Sequence, residues 1–237
     1  PEALMKLAEV EKGQIVFRSG ASYKLLVLPA FETMTPELLR KIEELIQEGA
    51  TVIGKPPRKS PSFEDFPDCD LEVEGLAKNV WGSLEKPQLA EERIYGKGKI
   101  FWGSDLNPET VKSDSNPLQA RLYPDYETTA GILEKIGVSP DFSCSSGKIR
   151  YTHRSLTETG QELYFISNRS GESVDDVCTF RDGSLRAELW DPLSGERRPL
   201  EGIQAVAPAG VRLEVRLKPE QSFFIVFKKD SSVAGPH

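Results

Sequence analysis

Between Tyr23 and Gly54 the chain reads strand, helix, strand, and this one βαβ unit commits the first half of the sequence to a parallel sheet. Leu25-Leu26-Val27-Leu28 is an unbroken apolar run, the pattern of a strand covered on both faces. Pro29 ends it. Thr35 stands where a helix N-cap is needed, and Pro36 at the first helical position, where its missing N–H costs nothing. Leu38, Ile42, Leu45 and Ile46 recur on one helical face, with Glu37, Arg40, Lys41, Glu44 and Glu48 off it. Glu37 and Lys41 are spaced for an i,i+4 ion pair. Gly49 suits the position just past the helix, and Thr51-Val52-Ile53 is the next strand.

The flanking sequence extends this plan. Glu2 to Val10 reads as the end of a helix, and Gln14 to Phe17 as a short strand that forms a hairpin with the first strand of the unit. Lys55 to Ser62 carries three prolines and is a loop. Leu71 to Trp81 is a short helix behind an acidic start, Ile100-Phe101-Trp102 a third strand, and Asn107 to Pro124 a connector. Tyr126 to Ile136 is helical, with Ala130, Leu133 and Ile136 on one face and Gly137 as the stop.

From Ile149 the apolar period changes to two. Ile149 to Leu156, Glu162 to Arg169, Val174 to Phe180, Leu185 to Trp190, Val211 to Leu217 and Ser222 to Lys228 read as strands. Turn residues separate them, among them Asp191-Pro192-Leu193-Ser194-Gly195. Short strands at this spacing make an antiparallel β-sandwich. The expected fold class is therefore α/β followed by all-β: an α/β domain over residues 1–142, a β-sandwich over 143–229 and a frayed tail over 230–237.

Chemistry is sparse. The formal charge is −7, which disfavours nucleic acid as a partner. No apolar run approaches the roughly 20 residues of a membrane span. GxGxxG and P-loop signatures are missing from the strand ends. Cys69, Cys144 and Cys178 are odd in number and form no CxxC, so idle thiols are expected, with a single bridge such as Cys144–Cys178 left open. Asp68, Asp70, Glu72 and Glu74 lack the glycine and glutamate of a calcium loop and fit an acidic helix start. His153 and His237 are the only histidines, and His153 sits on a strand without a G-x-S-x-G partner. His153 is expected to hydrogen-bond to backbone or to a neighbouring domain. A sharper alternative puts His153 and Arg154 at the rim of a sugar site, although alternation points them to opposite faces. Trp81 and Trp102 read as core. Trp190, beside Asp191-Pro192, reads as a more exposed stacking surface for sugar.

The parallel half resembles the flavodoxin and class I glutamine-amidotransferase-like sheets, but no cysteine follows any of its strands as a nucleophile would. Taken together, Ser22 to Pro29, Met34 to Ser62, Ile149 to Arg154, Glu162 to Asn168 and Ala187 to Glu196 resemble the α-L-rhamnosidase-like enzymes of glycoside hydrolase family 106, in that family's order and from about Pro1 to Phe227. The resemblance implies a larger parent, secreted or periplasmic, with a catalytic barrel upstream that holds the catalytic glutamates and a calcium site. Nothing here matches that barrel, so no catalytic or metal residue is carried over and no cofactor is expected. The chain is then expected to be an excised accessory region that scaffolds or flanks the site, with the barrel of the same parent and a plant or microbial glycan as partners. The alternative is a carbohydrate-binding or oligomerisation module without hydrolase activity.

Overall fold

The computed structural model describes residues 2–106, 122–207 and 210–228. Most of the connector and the tail lie outside these residues. Strand predominates among the described residues: sixteen strands in four sheets, with four α-helices. The chain divides into two compact units, one ending at Val138 and the other starting at Ser139.

The first unit opens with α1 (Glu2–Leu7), β1 (Ala8–Glu11), β2 (Gln14–Phe17) and β3 (Ser22–Tyr23). Then come β4 (Leu26–Val27), α2 (Pro36–Glu48), β5 (Thr51–Ile53), α3 (Asp68–Trp81), β6 (Glu91–Tyr95), β7 (Gly98–Trp102) and α4 (Tyr126–Lys135). The order β4-β5-β7-β6 makes a sheet in which β4, β5 and β7 are parallel and β6 runs antiparallel at the edge. Alternation along its strands feeds two cores. Val52, Ile100 and Trp102 pack with Leu39, Ile42 and Ile46 of α2 and Val73, Ala77 and Val80 of α3. Ile53 and Phe101 face the other way and pack with Ile132 of α4.

α2 starts as its sequence dictates: Thr35 has extended backbone angles and its Oγ1 accepts the Leu38 N–H at 3.4 Å. Gly49 ends it with φ 130°, donating to the Leu45 and Ile46 carbonyls. Gly98 permits close packing, since a Cβ there would stand 2.3 Å from the carbonyl oxygens of Ala50 and Ile46.

Several local expectations fail for tertiary reasons. β2 pairs with β1 and with β3, so the hairpin does not include Leu25 to Leu28. That run is an edge strand of the parallel sheet, and Leu25, Leu26 and Val27 are only half-buried. Ala8 to Glu11 is strand because pairing with β2 outweighs its helical pattern. Lys41 pairs with Glu44 at 2.7 Å and not with Glu37. Leu39, not Leu38, joins Leu45 as a fully buried leucine of α2, and Ile132 takes the place expected for Leu133.

The second unit comprises β8 (Phe142–Cys144), β9 (Ile149–Leu156), β10 (Gln161–Asn168), β11 (Val174–Phe180), β12 (Ala187–Trp190), β13 (Arg197–Pro199), β14 (Gln204–Ala205), β15 (Val211–Leu217) and β16 (Ser222–Phe227). It is a β-sandwich. A five-stranded antiparallel sheet, β13-β12-β16-β10-β9, faces a four-stranded one, β14-β15-β11-β8, across one core. Tyr164, Ile166, Phe223, Ile225 and Phe227 come from the first sheet and Cys178, Phe180, Leu213, Val215 and Leu217 from the second. β15 alternates buried and exposed at every residue, as its apolar and charged residues alternate.

Candidate functional site

β9 sends His153 and Arg154 to opposite faces. His153 pairs in register with Tyr164, a fully buried core residue, so it faces the interior. Its ring lies flat on the Tyr164 ring, with centroids 4.1 Å apart and planes 6° from parallel. Nε2 is 2.9 Å from Glu162 Oε2, and Nδ1 is 3.5 Å from Asp141 Oδ2. Ser155 Oγ donates to the same Glu162 oxygen at 2.5 Å.

Arg181 closes this cluster. It contacts the Asp141 carboxylate, bonds Asp182 Oδ2 at 3.0 and 3.1 Å, and donates to the Ser139 carbonyl at 2.9 Å. Its pKa is raised, first by the Asp182 hydrogen bond and then by the Asp141 charge acting against burial. Burial pushes the Tyr164 phenol well above its ordinary value, so the hydroxyl keeps its proton and donates to the Asp141 carbonyl at 3.3 Å.

One ligand atom each from Asp141, His153 and Asp182 would fit within 4.8 Å of one another. Calcium does not suit that set. It takes six to eight oxygens, whereas this trio includes an imidazole, and Arg181 already brings a positive charge to both aspartates. The cluster is a network of hydrogen bonds and ion pairs in which both aspartates share Arg181 and His153 lies between Asp141 and Glu162.

Arg154 and Trp190 share the outer face of the five-stranded sheet. Trp190 lies opposite Phe224, Phe224 opposite Phe165, and Phe165 opposite Thr152, two residues from Arg154 on β9. Three strand spacings separate β12 from β9, roughly 14 Å at about 4.8 Å per strand. Phe165 and Phe224 are half-buried, with ring centroids 5.0 Å apart. Trp190 is half-buried too, more covered than its place beside the turn suggested. Its indole N–H donates to Glu188 Oε2 at 2.9 Å, and the Arg197 guanidinium stands over its ring at 4.1 Å. The Lys228 ammonium and then the Trp190 indole, each bonded to Glu188, hold its carboxyl below the usual range.

Sequence reasoning therefore found one member of the inner cluster and two residues of the outer face. It missed Asp141, Glu162, Arg181 and Asp182, whose meeting depends on long-range register. Glu188 and Arg197 were within reach, because the recognised Asp191 to Gly195 turn brings Arg197 opposite Trp190. A separate cleft of about 940 Å³ is lined in part by Leu200, Arg198, Arg212 and Phe223, and by none of His153, Arg154 and Trp190.

Comparison with known proteins accords with this architecture. The family model described as alpha-L-rhamnosidase, glycoside hydrolase family 106, matches residues 1–203. A Formosa agariphila protein named "Putative beta-glucuronidase" is 30% identical over 222 residues, 94% of this chain and 16% of that protein. A solved rhamnosidase from Novosphingobium sp. PP1Y superposes with a TM-score of 0.71 at 25% identity, covering 99% of this chain and 20% of that one. The fold is thus that of a glycoside hydrolase region. The chain belongs to glycoside hydrolase family 106, and it spans about a fifth or less of the length of these relatives. Among the described residues no helix is long and apolar enough to cross a membrane.

Proposed function

We propose that this chain is a non-catalytic, accessory region of a larger rhamnosidase-like glycoside hydrolase. On this reading the first unit is a reduced flavodoxin- and amidotransferase-like domain, the second its flanking sandwich, and the catalytic barrel belongs elsewhere in a secreted or periplasmic parent. The observation that carries the reading is coverage: nearly all of this chain matches only 20% of the Novosphingobium rhamnosidase. The chemistry agrees with it. Glycoside hydrolysis needs two carboxyl groups held a set distance apart and open to the sugar on both sides of the scissile bond. Around His153 the carboxylates of Asp141, Glu162 and Asp182 are instead engaged with Arg181, Ser155 and the imidazole. Incubating the purified chain with aryl α-L-rhamnoside and aryl β-glucuronide should give no turnover. Hydrolysis that disappears on substitution of a single carboxylate within the chain would overturn the proposal.

A second reading rests on the outer aromatic row. Trp190, Phe224 and Phe165 form an apolar strip flanked by Glu188, Arg197 and Arg154, the combination that stacks on and hydrogen-bonds to sugar rings. It predicts calorimetric binding of rhamnose-containing oligosaccharides that Trp190→Ala abolishes while the fold persists. No heat across a panel of plant and microbial glycans would dismiss it.

A further inference from the structure

β8 and β11 set Cys144 directly opposite Cys178 in an antiparallel ladder. The neighbouring hydrogen bonds fix which type of position this is. The Ser145 N–H donates to the Val177 carbonyl at 3.3 Å, one step along the ladder, and the Arg181 N–H to the Asp141 carbonyl at 2.9 Å, three steps the other way. Hydrogen-bonded and non-hydrogen-bonded pairs alternate, so Cys144 and Cys178 occupy a non-hydrogen-bonded pair. Opposed Cα atoms there lie about 4.5 Å apart, at the near edge of the roughly 4.4–6.8 Å that a disulfide spans. Directly opposed side chains project to the same face. Cys178 is fully buried in the sandwich core, and Cys144 is half-buried and packs against that core.

From this register we infer that Cys144 and Cys178 form a cross-strand disulfide when the chain folds in the presence of a small-molecule disulfide oxidant. Cys144, the more accessible thiol, attacks a sulfur of the oxidant (oxidised glutathione in the test below) and expels one glutathione thiolate. Cys178 then attacks Cys144 Sγ, forms the protein disulfide and expels the second. Two cysteine thiols are oxidised, the glutathione disulfide is reduced to two thiols, and the two cysteine protons end on the leaving thiolates. Burial pushes the Cys178 thiol well above its ordinary value, so the resolving step is slow once the sandwich has closed and fast while β11 is still exposed. The bridge would close a long loop, from β8 to β11, and stabilise the sandwich by restricting the unfolded chain. Cys69 stands outside this chemistry, buried in the first turn of α3 with its Sγ 3.7 Å from the Ser62 carbonyl.

The chain would be unfolded in denaturant and refolded in oxidised glutathione, and separately in excess reduced glutathione. Each product would then be alkylated in denaturant and mapped by mass spectrometry. The expected result is a single alkylated cysteine, Cys69, in the oxidised product, with a Cys144–Cys178 peptide pair that separates on reduction. The urea midpoint should rise on oxidation, and Cys144→Ser and Cys178→Ala should each abolish the rise. Three alkylated cysteines after oxidative refolding, a glutathione adduct that never resolves, or a bridge to Cys69 would each overturn the inference. The peptide map is read on the unmodified chain, so it decides the matter even where a variant fails to fold.

Discussion

Replacing Asp176 by asparagine should weaken the sandwich in a way that pH exposes. Asp176 on β11 is 6% exposed. Its carboxylate accepts the backbone N–H groups of Ser145, Ser146 and Val177 at 3.0, 2.9 and 2.8 Å, the Ser145 hydroxyl at 2.6 Å and the Ser146 hydroxyl. Burial alone would raise its pKa. The hydrogen bonds from Ser145, Ser146 and Val177 together outweigh burial and hold it at about 2, against an ordinary 3.8. At about 1.36 kcal/mol per pH unit, that difference corresponds to roughly 2 kcal/mol of stability. The folded-state value is the lower one, so this stability is fully present above the unfolded pKa near 3.8 and is lost as pH falls through about 2. Asparagine removes the charge and presents an NH₂ group to donors, so Asp176→Asn should cost about 2–4 kcal/mol at pH 6. Urea unfolding of both proteins from pH 7 to pH 2 measures this. The gap between them should narrow by about 2 kcal/mol across the acid limb. A gap that stays constant through that window would refute the reasoning, because the carboxylate would then be contributing nothing as an anion.

Two further perturbations test the first unit. Gly98→Ala drives a methyl group to 2.3 Å from two backbone oxygens and should cost about 3 kcal/mol or more, whereas Gly75→Ala, in helix α3 with open space around it, should gain roughly 0.5–1 kcal/mol. Thermal melts of the pair check it, and equal effects would rule out the close approach. Trp81 Nε1 donates to the Gly54 carbonyl at 2.8 Å, while Trp102 Nε1 is buried without an acceptor among the described residues. Trp81→Phe should therefore cost about 1–2 kcal/mol more than Trp102→Phe in urea titrations, and the reverse order would show that packing, not the hydrogen bond, dominates.

Much of the fold was legible because it is local. Thr35, Pro36 and Gly49 specify the ends of α2 through contacts within four residues. The alternation in Val211 to Leu217 specifies both the strand and its buried face. Two β9 residues were assigned correctly to opposite faces, since a strand's period is two whatever its partners. Less of the candidate site was legible. The glutamate, aspartates and arginine around His153 come from β10, the stretch before β8 and the turn after β11, and they meet only because those strands pair in one register.

Left to itself, the sequence determined the ends of α2, most of the strands of the second unit, that a parallel sheet precedes an antiparallel sandwich, and the family to which the chain belongs. Tertiary structure alone decided that Leu26–Val27 is an edge strand, that a salt-bridged network encloses His153, and that Cys144 stands opposite Cys178. The physical reason is range. Period and capping are set by neighbours a few residues away, whereas register is set by the burial of a whole sheet face, which belongs to no single segment.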